Sequence, residues 1–304
     1  PDLSAATSLA ILLCFASTSE SQKAANASPG LLTRHIYLKA KQCSWLTRKA
    51  SGTDMADRIE LSQGAGGSET ESFIKKYILP RFQQANIEVP LQALDDAAVV
   101  NGIVFTTDSH TVQPLFFPGG NIGSLAVAGT INDVAVMGAE PMGLSAAMVI
   151  EEGLPFDTIE RALDGMASCA HDAGVPIVTG DTKVIEHGAI QEMIITTAGI
   201  GQASDALQQN MRQLNRGTTW LRDSALQPGD MILLSGYIAD HGIALLSFRE
   251  GYGFETEISS DVAPVNSLIQ HCLEIGGVVA AKDPTRGGLA NPLNEMASKS
   301  GIGM

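Results

Sequence analysis

The stretch Asp95-Asp96-Ala97-Ala98-Val99-Val100-Asn101-Gly102-Ile103-Val104-Phe105-Thr106-Thr107-Asp108-Ser109 decides the fold of this 304-residue chain. It reads as two short apolar strands, 97–100 and 103–107, around Asn101-Gly102. Asn-Gly is the strongest two-residue hairpin signal, because both central positions of a type I′ turn take positive φ. The same hairpin carries carboxylates, Asp95, Asp96 and Asp108, at its ends.

Downstream, a small-residue helix is predicted over 121–137, an apolar strand over 143–150, and a helix with Phe156, Ile159, Leu163, Met166 and Ala170 on one stripe. Strands at 176–179 and 191–201 follow. The order strand, helix, strand points to a mixed α/β domain. Upstream, Ser68 and Glu71 form a capping-box pair, and Phe73, Ile74, Tyr77 and Ile78 share a helical face until Pro80 stops the run. Gly64-Ala65-Gly66-Gly67 therefore precedes a helix.

The polar stretch 202–222 has no sustained period and reads as a domain boundary. Beyond it, Pro228-Gly229-Asp230 turns into a strand at 231–235, Asp240 caps a helix, and further helices are expected over 265–275 and after Gly287-Gly288. One confident strand cannot satisfy its own hydrogen-bond ladder, so this second domain is expected to be incomplete, with an exposed edge.

Residues 1–54 differ from the rest: they hold 6 basic and 3 acidic side chains, against 13 and 30 in the remainder. Met55 reads as the natural initiator, and 1–54 as a non-native or disordered extension. An export signal built on the apolar run 9–16 is disfavoured, because no basic residue precedes it. The overall net charge of −14 argues against sequence-blind binding to nucleic acid or anionic membranes. Cysteines at 14, 43, 169 and 272 have neither disulfide density nor zinc spacing, which fits a reducing compartment. Cys169 and Cys272 read as small core residues.

Neither of the two commonest glycine-rich phosphate loops is complete here. Four acidic positions, each at a predicted strand end or beside a glycine, offer an alternative: Asp95-Asp96, Asp108, Asn132-Asp133 and Gly180-Asp181-Thr182-Lys183. Mg²⁺ takes oxygen ligands and keeps water and substrate phosphates in its shell, so carboxylates from separate loops suffice to hold it. Each aspartate alone reads more readily as a turn or cap residue, and it is the four together, with their neighbouring glycines, that point to a metal site. Lys183 is either a phosphate contact or a solvated surface lysine, and Asp283-Pro284-Thr285-Arg286-Gly287-Gly288 is either a site loop or a capped helix start. The Gly64–Gly67 loop could grip phosphate through its backbone N–H groups.

These residues resemble the HypE family of hydrogenase expression/formation proteins, in the superfamily of aminoimidazole ribonucleotide synthetase. The resemblance runs from about Met55 to Met304. Its most specific piece is Thr107-Asp108-Ser109 leading into Pro114-Leu115-Phe116-Phe117-Pro118-Gly119-Gly120-Asn121-Ile122-Gly123. Asn132-Asp133-Val134-Ala135, Glu151-Glu152-Gly153-Leu154-Pro155, Gly180-Asp181-Thr182-Lys183-Val184 and Asp283-Pro284-Thr285-Arg286-Gly287-Gly288 agree in order and spacing.

The resemblance implies a two-domain α/β (α+β) fold: an N-terminal ATP-binding and dimerisation domain over 55–205, and an incomplete C-terminal α/β domain over 206–304. It implies a homodimer through the N-terminal sheet, with ATP and Mg²⁺ in the cleft between the domains. It also implies a cytoplasmic enzyme that dehydrates a cysteine thiocarboxamide, delivered by HypF, to a thiocyanate for the iron of nickel-iron hydrogenase on HypC and HypD. By the same resemblance, Asp96, Asp108, Asp133 and Asp181 go to the metal. Gly64, Gly66, Gly67, Asp96, Asn132, Asp133, Asp181 and Arg286 go to the nucleotide. Lys183 and Asp108 are the catalytic residues. The family's terminal cysteine tail is not found before Met304, so this chain reads as a fragment unable to complete the reaction. The alternatives are selenophosphate synthetase, whose glycine-rich loop usually carries a reactive Cys that 63–68 lacks, thiamine-phosphate kinase, or a non-catalytic maturation scaffold.

Overall fold

The computed structural model describes residues 11–16, 58–82, 86–251 and 258–304. Ten strands are named in chain order: β1 (Leu12–Phe15), β2 (Ala98–Val100), β3 (Ile103–His110), β4 (Phe116–Phe117), β5 (Gly120–Asn121), β6 (Ala139–Glu151), β7 (Ile177–Ile185), β8 (Met193–Ala203), β9 (Met231–Leu234) and β10 (Val278–Lys282). The α-helices are α1 (Gly67–Phe73), α2 (Ile122–Val136), α3 (Phe156–Ala173), α4 (Asp205–Leu214), α5 (Asp240–Glu250), α6 (Asn266–Ile275) and α7 (Ala290–Ser300).

The hairpin forms as its sequence dictates. Asn101 and Gly102 both take positive φ, 52° and 76°, and Glu88 accepts hydrogen bonds from their two N–H groups. β2 and β3 open a five-stranded sheet of order β2-β3-β8-β6-β7, antiparallel except for the β6–β7 pair, which α3 connects. α2 starts where Asn121 Oδ1 accepts from the N–H groups of Gly123 and Ser124, and is buried over nearly its whole length. Close approach needs small residues here: a Cβ on Gly123 would lie 2.0 Å from the Ala162 carbonyl oxygen of α3.

The second sheet has the order β10-β1-β9, antiparallel throughout. For residues 11–16 this corrects the expectation that 1–54 is a non-native or disordered extension. Residues 11–16, the described part of 1–54, supply the central strand and are at most 5% exposed. Leu12, Cys14 and Ala16 pack with Leu226, Val279, Ala280 and Met296, while Ile11, Leu13 and Phe15 join the core around Leu207, Trp220 and Leu273. The rest of 1–54, including the Cys43 position, lies outside the described residues.

Other departures have local causes. α1 begins at Gly67 without the Ser68–Glu71 box, because the Gly66 N–H donates to Thr70 Oγ1 instead. Phe156, placed on the buried stripe of α3 by its spacing, is 84% exposed at the first turn, where Ala162, Met166, Cys169 and Ala170 carry the contact. α4 arises in the polar stretch because Leu207, Met211 and Leu214 still share a face and Ser204 Oγ accepts from the Leu207 N–H. Burial pushes the Cys169 thiol up to about 11 and, with Asp230 and Asp223, that of Cys14 up to about 12, which keeps both as inert core groups. Among the described residues no helix is long and apolar enough to cross a membrane.

Candidate functional site

Between the halves lies a cavity of about 660 Å³. Asp96 precedes β2, Asp108 lies in β3, Asp133 in α2 and Asp283 just after β10. Carboxylate oxygens of Asp96, Asp133 and Asp283 lie within 4.8 Å of one another. The Thr106 hydroxyl lies 2.9 Å from Asp133 Oδ2 and 3.0 Å from the Asp96 carbonyl, tying hairpin to helix.

Burial and mutual repulsion raise these acids. Asp133 is driven well up by burial, then by Asp283, Asp96 and Asp108; Asp283 likewise by burial and then Asp96. Asp96 rises to about 6, burial outweighing the attraction of Lys282. Asp108 moves the other way: burial opposes its charge, but His110 Nε2 at 3.1 Å, Arg286 and the Ser109 N–H hold it below the usual carboxylate range.

A chain of ion pairs backs the cluster. Arg222 pairs with Asp95, Asp95 with Lys299 at 3.3 Å, Lys299 with Asp223 at 2.7 Å, Asp223 with Lys282 at 3.0 Å, and Lys282 with Asp96 at 2.8 Å. Lys282 is buried, and although burial works against its charge, Asp96 and Asp223 raise it well above the usual lysine range. It is a fixed positive charge at one side of the acids.

At the mouth, Gly64, Gly66, Gly67 and Arg286 line the cavity. A Cβ on Gly66, at φ +85°, would lie 2.9 Å from Arg286 backbone and side-chain atoms, so the residue must be glycine for this loop to meet that turn.

The donor set fits a hard divalent cation. It consists of carboxylate oxygens alone, Asp283 Oδ2 is buried without a hydrogen-bond partner, and three mutually repelling acids lack a compensating charge at their centre.

Of the residues singled out in the sequence, Asp96, Asp108, Asp133, Gly64, Gly66, Gly67 and Arg286 meet at this cavity. Asn132 does not: it is fully buried, its Nδ2 donating to Ala263 O at 3.2 Å and its Oδ1 accepting from Val265 N–H at 2.9 Å, which clips 263–265 to α2. Asp181 and Lys183 lie on the exposed edge strand β7, opposite Ala147 and Val149, away from the cavity lining. The sequence leaves Asp283 open between a site loop and a capped helix start and names it among no metal ligands, and it misses Lys282, which ends an apolar strand and carries no signal of its own.

Sequence and fold are similar to those of known proteins. The model of the AIR synthase related protein N-terminal domain matches residues 94–203, and that of the C-terminal domain 227–304. A hydrogenase expression/formation protein of Methanocaldococcus jannaschii is 46% identical over 254 residues, covering 81% of this chain and 72% of that one. Carbamoyl dehydratase HypE of Escherichia coli is 41% identical over 253 residues, covering 82% and 72%. Among solved structures, that of a HypE-HypF complex has a TM-score of 0.66 at 42% identity, covering 76% and 70%, and that of HypE in complex with ATP has 0.60 at 41%, covering 79% and 68%. A ThiL structure at 17% identity, TM-score 0.55, shares the fold. By these likenesses the chain belongs to the HypE family of hydrogenase maturation proteins.

Proposed function

We propose that this cavity is where the chain binds Mg·ATP and dehydrates a thiocarboxamide to a thiocyanate, the carbamoyl dehydratase activity for which its relatives are named. The observation that carries the reading is the convergence of Asp96, Asp133 and Asp283 oxygens beside a glycine loop and a guanidinium. The nucleotide supplies a γ-phosphoryl to the carboxamide oxygen, so that the carbon–oxygen bond breaks with phosphate rather than hydroxide leaving, ADP is released, and the nitrogen gives up its protons.

The protein's part is positioning and charge. Asp96, Asp133 and Asp283 hold the cation, which balances charge on the phosphates. Asp108, kept ionised by His110 and Arg286, orients the reacting end, and Gly66, Gly67 and Arg286 receive phosphate oxygens. Lys282 keeps Asp96 charged and ready for the cation. The halves 55–205 and 206–304, completed by β1, act as the two walls of the site.

Asp181 and Lys183 enter this scheme only across a homodimer, because β7 is an open edge in a single copy. The complex of a relative with HypF supports the same partner here; the family resemblance makes that partner the carbamoyl donor, with HypC and HypD receiving the cyanide on iron in the cytoplasm.

The test is ADP release from ATP in the presence of a synthetic peptide ending in S-carbamoylcysteine. Asp108→Asn should abolish it while circular dichroism and melting stay unchanged; turnover equal to that of the parent chain would reject the assignment.

A further inference from the structure

The Pro118-Gly119-Gly120 motif takes no part in the acidic cluster, yet it reaches the cavity by another route. Gly119 has φ +92°, and a Cβ there would lie 2.6 Å from the Ser260 carbonyl oxygen and 2.7 Å from its nitrogen. Only glycine lets the 258–262 segment lie this close. The Ser260 N–H donates to the Pro118 carbonyl at 2.8 Å, which fixes the residue's backbone.

The Ser260 hydroxyl then meets a histidine. Its Oγ accepts from the Val262 N–H at 3.2 Å and lies 2.7 Å from His241 Nδ1. His241, on the first turn of α5, is fully buried, faces the Phe117 ring edge-on at 5.1 Å, and lines the cavity. Its Nε2 is buried and has no hydrogen-bond partner.

Hydrogen-bond accounting selects the tautomer. If Nδ1 carried the proton, both the serine hydroxyl hydrogen and Nε2 would lack partners; if the hydroxyl donates to Nδ1, only the Nε2–H is left over. Burial, with a smaller push from Arg249, lowers the ring to about 4, so it is neutral at physiological pH. Val112 and Leu125 line the same cavity and are buried. A neutral donor beside apolar walls suits a neutral acceptor oxygen, whereas the charges of a phosphate are already met by Arg286 and the cation.

We propose that His241 is a substrate-binding residue whose Nε2–H donates to the carbonyl oxygen of a carboxamide in the cavity, with Ser260 setting its tautomer and Gly119 seating Ser260. This rests on the function proposed above.

The test begins with ¹⁵N-histidine spectra of the unaltered chain. Nε2 should be the protonated nitrogen, and its resonance should move when the S-carbamoylcysteine peptide is added with Mg·AMPPNP. In His241→Ala the KM for the peptide should rise about tenfold, the worth of one hydrogen bond to an otherwise unmet group, with the KM for ATP within about twofold of its original value. His241→Gln, which keeps an N–H donor, should recover most of the loss, and Ser260→Ala should shift the tautomer. A proton found on Nδ1, an unchanged peptide KM, or an equal loss of affinity for Mg·AMPPNP alone would overturn the proposal. A parent chain that binds neither nucleotide nor peptide would instead sink the functional reading itself.

Discussion

The two sheets of this molecule are held by different kinds of burial. In the five-stranded sheet every strand lies between 98 and 203, one face packs on α2, against which α3 lies in turn, and the outer strand β7 is open to solvent along nearly all its length. In the three-stranded sheet the central strand comes from more than 200 residues away in sequence, is covered on both faces, and gives hydrogen bonds to two neighbours. The first sheet tolerates charge on one side; the second has no such side. An inserted charge should therefore be harmless in one and ruinous in the other.

The largest effect tests that contrast directly. Leu13→Asp places a carboxylate in the core around Leu273 and Val278, and should cost about 4 kcal/mol or more, read as loss of a denaturant transition. Val178→Asp on β7, 65% exposed in a single copy, should stay within about 0.5 kcal/mol for unfolding of the monomer. Equal losses would show that β1 is not the keystone of its sheet.

The joint between the halves gives the next effect, in acid. The His241 ring has an ordinary value of 6.5 and is lowered to about 4 in the fold, so the unfolded chain takes up its proton first as pH falls. Stability is complete above pH 6.5 and declines between 6.5 and 4, by roughly 3 kcal/mol. His241→Gln should flatten that part of the pH profile; a profile of unchanged steepness would contradict the ring's burial. Smallest is the hairpin turn: Gly102→Ala, at φ +76° and with open space around it, should cost about 1 kcal/mol of stability through backbone strain alone.

The same contrast explains what the sequence disclosed. Asn101-Gly102, the Asn121 cap and the small residues of α2 act on near neighbours, so local pattern revealed the hairpin, the helix and the positions of Asp96, Asp108 and Asp133. The run 9–16 is apolar at every position in its centre, without the alternation that marks a half-buried strand, and its partners are distant; nothing local marks it as a strand. Val278–Lys282 is similarly continuous and short. Asp283 and Lys282 followed from that missed strand. Asp181 and Lys183 read as site residues both from their place beside Gly180 and by resemblance, and in one copy of the chain the β7 edge keeps them apart from the cavity.

The measurement that bears most directly on the central claim is calorimetric titration of Mg·ATP into Asp283→Asn and Asp181→Asn beside the parent chain. Loss of an acid at the convergence point should weaken binding about 100-fold or more in Asp283→Asn, and by a clearly smaller factor in Asp181→Asn. Undiminished affinity in Asp283→Asn would contradict the assignment of the cation to Asp96, Asp133 and Asp283.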